Sequence, residues 1–242
     1  MKYTPVRDLL FLLPPESAHR VSLRAMAMLE RLRMTRLMAA AVPDDPVTVM
    51  GIRFRNRVGL AAGLDKDATC IDGLAAFGFG FVEVGTVTPR AQPGNPSPRL
   101  FRLPEAGALI NRMGFNNAGV ERLVEHVRGA RFDGVLGINI GKNATTPVDD
   151  ALADYQFCMR AAYPVASYIV VNISSPNTHG LRNLQQQQAL PDLLTGLRLQ
   201  HDQLKAQHGK HVPLVVKISP DMDDEEIVRV ATSLADFHVD GV

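Results

Sequence analysis

The chain of 242 residues has only two cysteines, Cys70 and Cys158. They stand far apart and outside any C-x-x-C or metal-ligand spacing, which excludes a disulfide framework and fits a reducing compartment. Net charge is almost absent, at +1, so nothing global argues for nucleic acid as a partner. No apolar run approaches the roughly 20 residues needed to span a bilayer. The start does not read as a signal peptide, because Leu9–Leu13 run into Pro14-Pro15 without a small-residue cleavage site. No G-x-G-x-x-G opens a helix and there is no P-loop. Asp65 and Glu83 are isolated carboxylates and no histidine has ligand spacing, so no catalytic metal is expected. Low-complexity segments and short-period repeats are lacking as well.

What charge there is lies unevenly. Residues 1–40 hold seven Lys/Arg against three acids, which makes this segment +4 and the remainder −3. The segment reads as two helices. The first is the greasy patch Leu9–Leu13, broken by Pro14-Pro15. In the second, Val21, Ala25, Met28, Leu29 and Leu32 share one face and arginines cover much of the rest. A basic amphipathic pair of this kind suits a membrane surface or a partner groove. A helical lid packed on its own domain satisfies the pattern equally well.

From residue 45 the rhythm changes. Short β-branched runs recur at Val58–Ala62, Phe81–Thr86, Val135–Ile140, Tyr168–Ile173 and Leu214–Ile218, and a sixth starts at Gly241-Val242. Helical patterns lie between them at 66–77, 117–128, 147–163, 187–208 and 223–237. Strands alternating with helices predict parallel βα units, in either an open doubly wound sheet or a (β/α)₈ barrel. The insertion at 88–116 has room for a further hairpin and a loop over one end of the sheet.

Parallel strands are buried on both faces and should be continuously apolar. Here each is interrupted late: by Thr86 after "VEVG", Asn139 in "LGINIG", Asn172 in "VVNIS" and Lys217 in "VVKIS", with Lys66 following the "AAGLD" turn. An unpaired buried amide costs roughly 1–3 kcal/mol, so one such residue reads as a satisfied core group. Four at the same end of four strands predict a polar, partly cationic crevice where the strand ends converge. Two lysines among several amides suit an anionic, planar, heteroatom-rich ligand. "NRMGFNN" offers further hydrogen bonds, part of it readable as a helix N-cap and turn at Asn116–Gly119.

The motifs "GLAAGLDKD", "EVGTVTPRAQPGN", "PRLFRL", "INRMGFNN", "GINIGKN", "NISSPNT" and "VKISPD" stand in the order found in dihydroorotate dehydrogenases. The resemblance covers essentially the whole chain, including "PPESAHR", and is nearest to the class 2, quinone-reducing form. It implies an α/β fold, a (β/α)₈ TIM barrel of which about the first five to six βα units are present, with an N-terminal helical extension. The implied division is 1–40 for a helical quinone-channel segment and 45–242 for a partial FMN-binding barrel. Family members run about ninety residues further, by the usual barrel size, so the FMN phosphate anchor is expected outside this sequence.

By that similarity FMN contacts Ala62, Gly63, Lys66, Thr86, Asn139, Asn172 and Lys217. Dihydroorotate is held by Lys66, by Asn111, Arg112, Met113, Gly114 and Phe115, and by Asn172 and Asn177. Ser175 matches the family's catalytic base, where soluble class 1 enzymes carry Cys. Thr178 and a water near Phe115 match its proton relay, and His19 and Arg102 lie near the quinone head group. His179, four residues from Ser175, is a rival base whose ordinary reading is a solvated loop histidine, and Ser174 reads as a turn cap. The implied reaction oxidises dihydroorotate to orotate, in pyrimidine biosynthesis, with electrons passing through FMN to a membrane quinone. The implied setting is the bilayer surface at the cytoplasmic face of a bacterial inner membrane, with a monomer expected. An inactive partial barrel acting as a membrane-surface or interaction protein is the alternative of a different class. A soluble class 1 type is the alternative within the family.

Overall fold

The computed structural model describes residues 3–35, 42–185 and 189–242. The far end of the 1–40 segment and the first two positions of the 187–208 helix lie outside these. At the N-terminus α1 (Tyr3–Phe11) closes in a tight turn and α2 (Pro15–Arg31) starts after Pro14. Pro15 occupies the first helical position, where a missing N–H costs nothing. Among the described residues no helix is long and apolar enough to cross a membrane.

A hairpin follows, of β1 (Val47–Val49) and β2 (Ile52–Phe54). Its two-residue turn, Met50-Gly51, has φ of 53° and 75°, the left-handed pair that matches strand twist in such hairpins. The chain then runs through β3 (Gly59–Leu60), α3 (Ile71–Ala75) and β4 (Phe81–Val87). Next come β5 (Arg90–Gln92), β6 (Leu100–Leu103), β7 (Ala108–Asn111) and β8 (Asn117–Gly119). The remainder is α4 (Val120–Gly129), β9 (Val135–Ile140), α5 (Ala151–Ala162), β10 (Tyr168–Asn172), α6 (Ala189–His208), β11 (Leu214–Lys217) and α7 (Asp224–Asp236).

β3, β4, β9, β10 and β11 form one parallel sheet, each strand beside its predecessor in sequence. A parallel bridge from Val215 to Gly241 begins a sixth position in the same order. A doubly wound sheet reverses its strand order at a switch point, and this sheet does not. The strand order is that of a barrel. Helices cover the outer face, where Val82, Val84, Ile138 and Ile169 are wholly buried in the main core. Inside, a second cluster joins Phe54, Tyr168 and Val170 to Phe81 and Val135. Most of these sit where the strands start, so the β1–β2 hairpin plugs the N-terminal end and leaves the other end to polar side chains.

Two helices differ from the pattern read in sequence. Residues 66–70 are a turn, because the buried Asp65 carboxylate accepts from the N–H groups of Thr69 and Cys70 and Ala68 takes a φ of 58°. Residues 117–119 pair with β5 before α4 begins. The cap of that helix is Gly119, within the Asn116–Gly119 stretch, and Asn117 Oδ1 accepts from Thr88 N and Gly119 N beside the β5–β8 pair. The 88–116 insertion is the rest of this pair and the β6–β7 hairpin.

Candidate active site

β4 departs from regular pairing just before it ends. Gly85 pairs with Asn139 and Val87 with Ile140, leaving Thr86 as an extra residue between them. Such a bulge re-aims a side chain, and here it turns Thr86 toward β9 and β10. Gly85 is required at this point: its φ is 104°, and a Cβ would come within 2.3 Å of the Asn139 carbonyl oxygen. Thr86 Oγ1 donates to Asn139 Oδ1 at 2.5 Å and accepts from Asn172 Nδ2 at 2.9 Å. Asn139 Nδ2 donates to Glu83 Oε1 at 2.9 Å, and Tyr168 OH donates to Glu83 Oε2 at 3.2 Å. Three adjacent strands are thus laced by one chain of side-chain hydrogen bonds. Thr86, Asn139 and Asn172 are buried, and the lacing meets the desolvation cost that burial imposes.

The loop after β10 hangs from this chain. Asn172 Oδ1 accepts from Ser174 N at 3.0 Å and from Ser174 Oγ at 2.8 Å, so Ser174 bonds to the strand's last amide and does not cap the turn. Ser175 is half-buried and its Oγ accepts from Asn177 N at 3.2 Å. Thr178 is buried beside it and His179 is exposed. Among the described residues no hydrogen bond joins Ser175 to Thr178 or to His179. Lys217, paired with Asn172 at the end of β11, is exposed; its carbonyl accepts from Ile173 N, and its ammonium has no hydrogen-bond partner among the described residues.

Opposite stands the "AAGLDK" turn. Gly63 has a φ of 111°, its N–H donates to Gly85 O, and nothing lies within 4 Å of the place a Cβ would take. The backbone there faces open space at the strand ends. Lys66 is half-buried, and that burial, followed by the nearby Arg99 charge, pushes its pKa down. Its Nζ lies 4.0 Å from Met113 Sδ. Met113 and Phe115 are buried, and the Phe115 carbonyl accepts from Gln92 and Asn117.

A second lattice, not foreseen from the sequence, holds the 111–116 loop. Asn95 Nδ2 donates to Arg112 O at 2.9 Å and to Asn177 O at 3.3 Å, and Asn177 Nδ2 donates to Asn111 O at 3.4 Å. Arg99 Nη1 donates to Asn95 O at 2.9 Å, while its Nη2 and Nε grip both Glu16 oxygens at 2.6 and 3.1 Å. This bidentate pair holds the Glu16 carboxyl below its ordinary pKa range. It fastens α2 to the loop system.

α2 and the "AAGLDK" turn enclose a cavity of about 360 Å³, lined by Glu16, His19, Leu23, Lys66 and Met113 among others. Burial, and then the Lys66 charge, lower the His19 pKa. Asn116 also lines it, with a buried Oδ1 that has no hydrogen-bond partner among the described residues.

Two predicted site residues point elsewhere. Arg102 donates to the Leu13 carbonyl at 2.8 Å and lies 4.5 Å from the Phe11 ring centroid, closing the end of α1 outside the cavity. Arg112 donates to Pro98 O and lies over Phe101. The structure therefore gathers Gly63, Lys66, Thr86, Asn139, Asn172, Ser175, Asn177 and Lys217 at one end of the sheet. Glu83, Asn95 and Arg99 support them. The sequence signal for Asn95 and Arg99 was "QPGNPSPR", a loop rich in turn formers that carries an amide and a guanidinium.

A flavin ring fits this donor set. It needs amides and hydroxyls for its heteroatom edge, a cation for the charge it gains on reduction, and a backbone free of Cβ for close approach. The lacing amides, Lys217 and Gly63 meet these needs.

Comparison with known proteins agrees with the geometry. The family model described as dihydroorotate dehydrogenase matches residues 46–242. "Dihydroorotate dehydrogenase (quinone)" of Paraburkholderia xenovorans is 57% identical over 240 residues, covering 99% of this chain and 71% of that protein. The protein of the same name from Cellvibrio japonicus is 58% identical, over 99% of this chain and 70% of its own length. Among solved structures, Eimeria tenella DHODH in complex with ferulenol superposes with a TM-score of 0.84 at 36% identity, over 94% of this chain and 65% of that one. The chain thus spans about 70% of the curated relatives and somewhat less of that solved structure. Its parallel strands and flanking helices match the barrel of the solved enzyme in order and position, and the chain belongs to the quinone-type dihydroorotate dehydrogenase family.

Proposed function

We propose that this chain binds FMN and dihydroorotate at the C-terminal end of its parallel strands and uses Ser175 as the base that oxidises the substrate to orotate. Electrons leave to a quinone through the cavity beneath α2. One observation carries the reading: the Thr86–Asn139–Asn172 lacing, the exposed Lys217 ammonium and Ser175 all occupy the same end of the sheet. When bound, FMN supplies the hydride acceptor. The protein's part is position, charge and a proton path.

Oxidation removes a proton from the carbon beside the ring carbonyl and a hydride from its neighbour. The base must therefore face one side of the substrate with the cofactor on the other. Asn111, Asn172 and Asn177 offer amides to the ring's N–H and C=O edges, and Lys66 offers a cation to its carboxylate. Ser175 Oγ takes the carbon-bound proton. A serine hydroxyl is a weak base unless its own proton has somewhere to go, and the buried Thr178 is the adjacent hydroxyl for that transfer. Lys217 stabilises the negative charge the cofactor acquires.

The N-terminal helices suit a lipid surface. Leu9 on α1 and Leu12 in the turn after it are 67% and 80% exposed, and the arginines of α2 are placed to meet anionic head groups. These features support a peripheral position on a membrane; we assign it to the cytoplasmic face of the inner membrane, with His19 facing the quinone in the cavity.

The test is anaerobic. The chain mixed with FMN is expected to retain a yellow chromophore that dihydroorotate bleaches. A chain that takes up no flavin and bleaches none overturns the enzymatic reading in favour of an interaction protein. Within the same assay, His179→Ala is expected to stay within about twofold of the parent rate, because the ring is exposed and unbonded to Ser175. A loss of about a hundredfold, the scale of general-base catalysis, would move the base assignment to His179.

A further inference from the structure

We propose that Glu83, a carboxylate inside the barrel below the strand ends, is a positioning residue that sets the direction of the hydrogen bonds on which the cofactor-facing amides depend. The inference rests on the flavin reading above and deepens it.

Glu83 lies three residues before Thr86 in β4, beside the interior cavity lined by Phe54, Tyr168 and Val215. An ionised carboxylate can only accept. Asn139 must therefore offer Glu83 its amino group, which turns Oδ1 toward Thr86. Thr86 has one hydroxyl hydrogen and gives it to that oxygen. It is then left to accept from Asn172 Nδ2. At the far end, the Ser174 backbone N–H can only donate, which fixes Asn172 Oδ1. Both ends are unambiguous, and they meet in agreement at Thr86.

Without Glu83 only the Ser174 end is fixed. Asn139 can then reverse and present its amino group to Thr86, whose oxygen would face two donors while its own hydrogen found no acceptor. Asn139 is fully buried and Thr86 nearly so, so the mismatch cannot be repaired by bulk water. Tyr168 holds Glu83 from below, and burial followed by the Glu83 charge pushes its phenol pKa up, keeping it a donor. Asn139 retains a second amide hydrogen, and the direction in which it reaches a ligand is inherited from Glu83.

The 242-residue chain is compared with Glu83→Leu and Glu83→Gln by two readouts. In the flavin-free chain, the Asn172 side-chain amide is followed by nuclear magnetic resonance. Its resonance is expected to move, and its exchange with solvent to quicken about tenfold, in Glu83→Leu. Glu83→Gln should rescue it, because the glutamine oxygen can still accept from Asn139 while its amino group meets Tyr168. With FMN added, the dissociation constant is expected to rise about tenfold or more in the leucine variant and to stay within about threefold in the glutamine variant. An unmoved Asn172 amide in Glu83→Leu, or an equal loss in both variants, overturns the proposal. A parent chain that takes no FMN would sink the flavin reading alone, since the flavin-free amide signal still decides the role of Glu83.

Discussion

Ser175→Ala is expected to bind flavin and dihydroorotate as the parent does and to lose about 10²–10⁴-fold in turnover, the range that a positioned base contributes. The hydroxyl's structural duty is small. Among the described residues it makes one hydrogen bond, accepting the Asn177 N–H at 3.2 Å in a tight turn, and a bond of that kind is worth about 1 kcal/mol. Folding therefore should not fall with the rate. The loss should appear in kcat and in kcat/KM together, the mark of an interaction made in the transition state. Ser175→Cys should recover part of the rate, since a thiolate is an intrinsically better base than an alcohol at neutral pH. Rapid-mixing measurement of flavin bleaching isolates this step from quinone turnover. An alanine variant that bleaches at the parent rate would falsify the assignment.

Much of this site was legible in the strands because parallel sheets tolerate so few polar residues. Thr86, Asn139, Asn172 and Lys217 stood out against apolar neighbours, and the fold brought all four to one end. The regular alternation of runs gave the strand positions for the same reason. What was not legible depended on contacts remote in sequence. Glu83 read as an isolated carboxylate, since its partners Asn139 and Tyr168 lie 56 and 85 positions away. Asp65 erased the first turns of a helix that the 66–77 pattern favoured, through hydrogen bonds to Thr69 and Cys70. The helix cap read at Asn116–Gly119 falls at Gly119, but the pairing of β8 with β5 just before it was not legible. The choice between barrel and doubly wound sheet also needed the strand order, which local pattern does not encode.

Arg102, which the family resemblance sets near the quinone head group, donates to the carbonyls of Leu10, Phe11 and Leu13 at the end of α1. Helix ends offer partial negative charge that cations satisfy. Arg102 thereby anchors α1 to the β6–β7 hairpin, as Arg99 anchors α2 through Glu16, while Arg131 holds α2 again through Glu30.

That anchoring shapes the outcome of removing residues 1–40. Quinone reduction and attachment to lipid vesicles should be abolished, because α2 forms one wall of the cavity that holds His19. Oxidation of dihydroorotate with a soluble dye as acceptor should continue, since the lacing of Thr86, Asn139 and Asn172 does not involve the helices. It should continue with a higher KM. Truncation strips Glu16 from Arg99, a bidentate pair at 2.6 and 3.1 Å whose side chains are 25% and 11% exposed. Freed, Arg99 holds Asn95 less firmly, and Asn95 steadies both the Arg112 carbonyl and Asn177. Hydrogen bonds to charged groups contribute about 1.5–3 kcal/mol, so partial transmission to the substrate loop should raise KM several-fold. Glu16→Gln in the full chain separates the two effects. It removes the charge but leaves α2 in place, and should raise KM for dihydroorotate while quinone reduction persists. Because Arg99 holds the Glu16 carboxyl below its ordinary range, the pair is intact at neutral pH and is lost only as pH falls through that lowered value. Quinone turnover by the truncated chain at the parent rate would remove the helices from the electron path, and an unchanged KM in Glu16→Gln would uncouple α2 from the substrate loop.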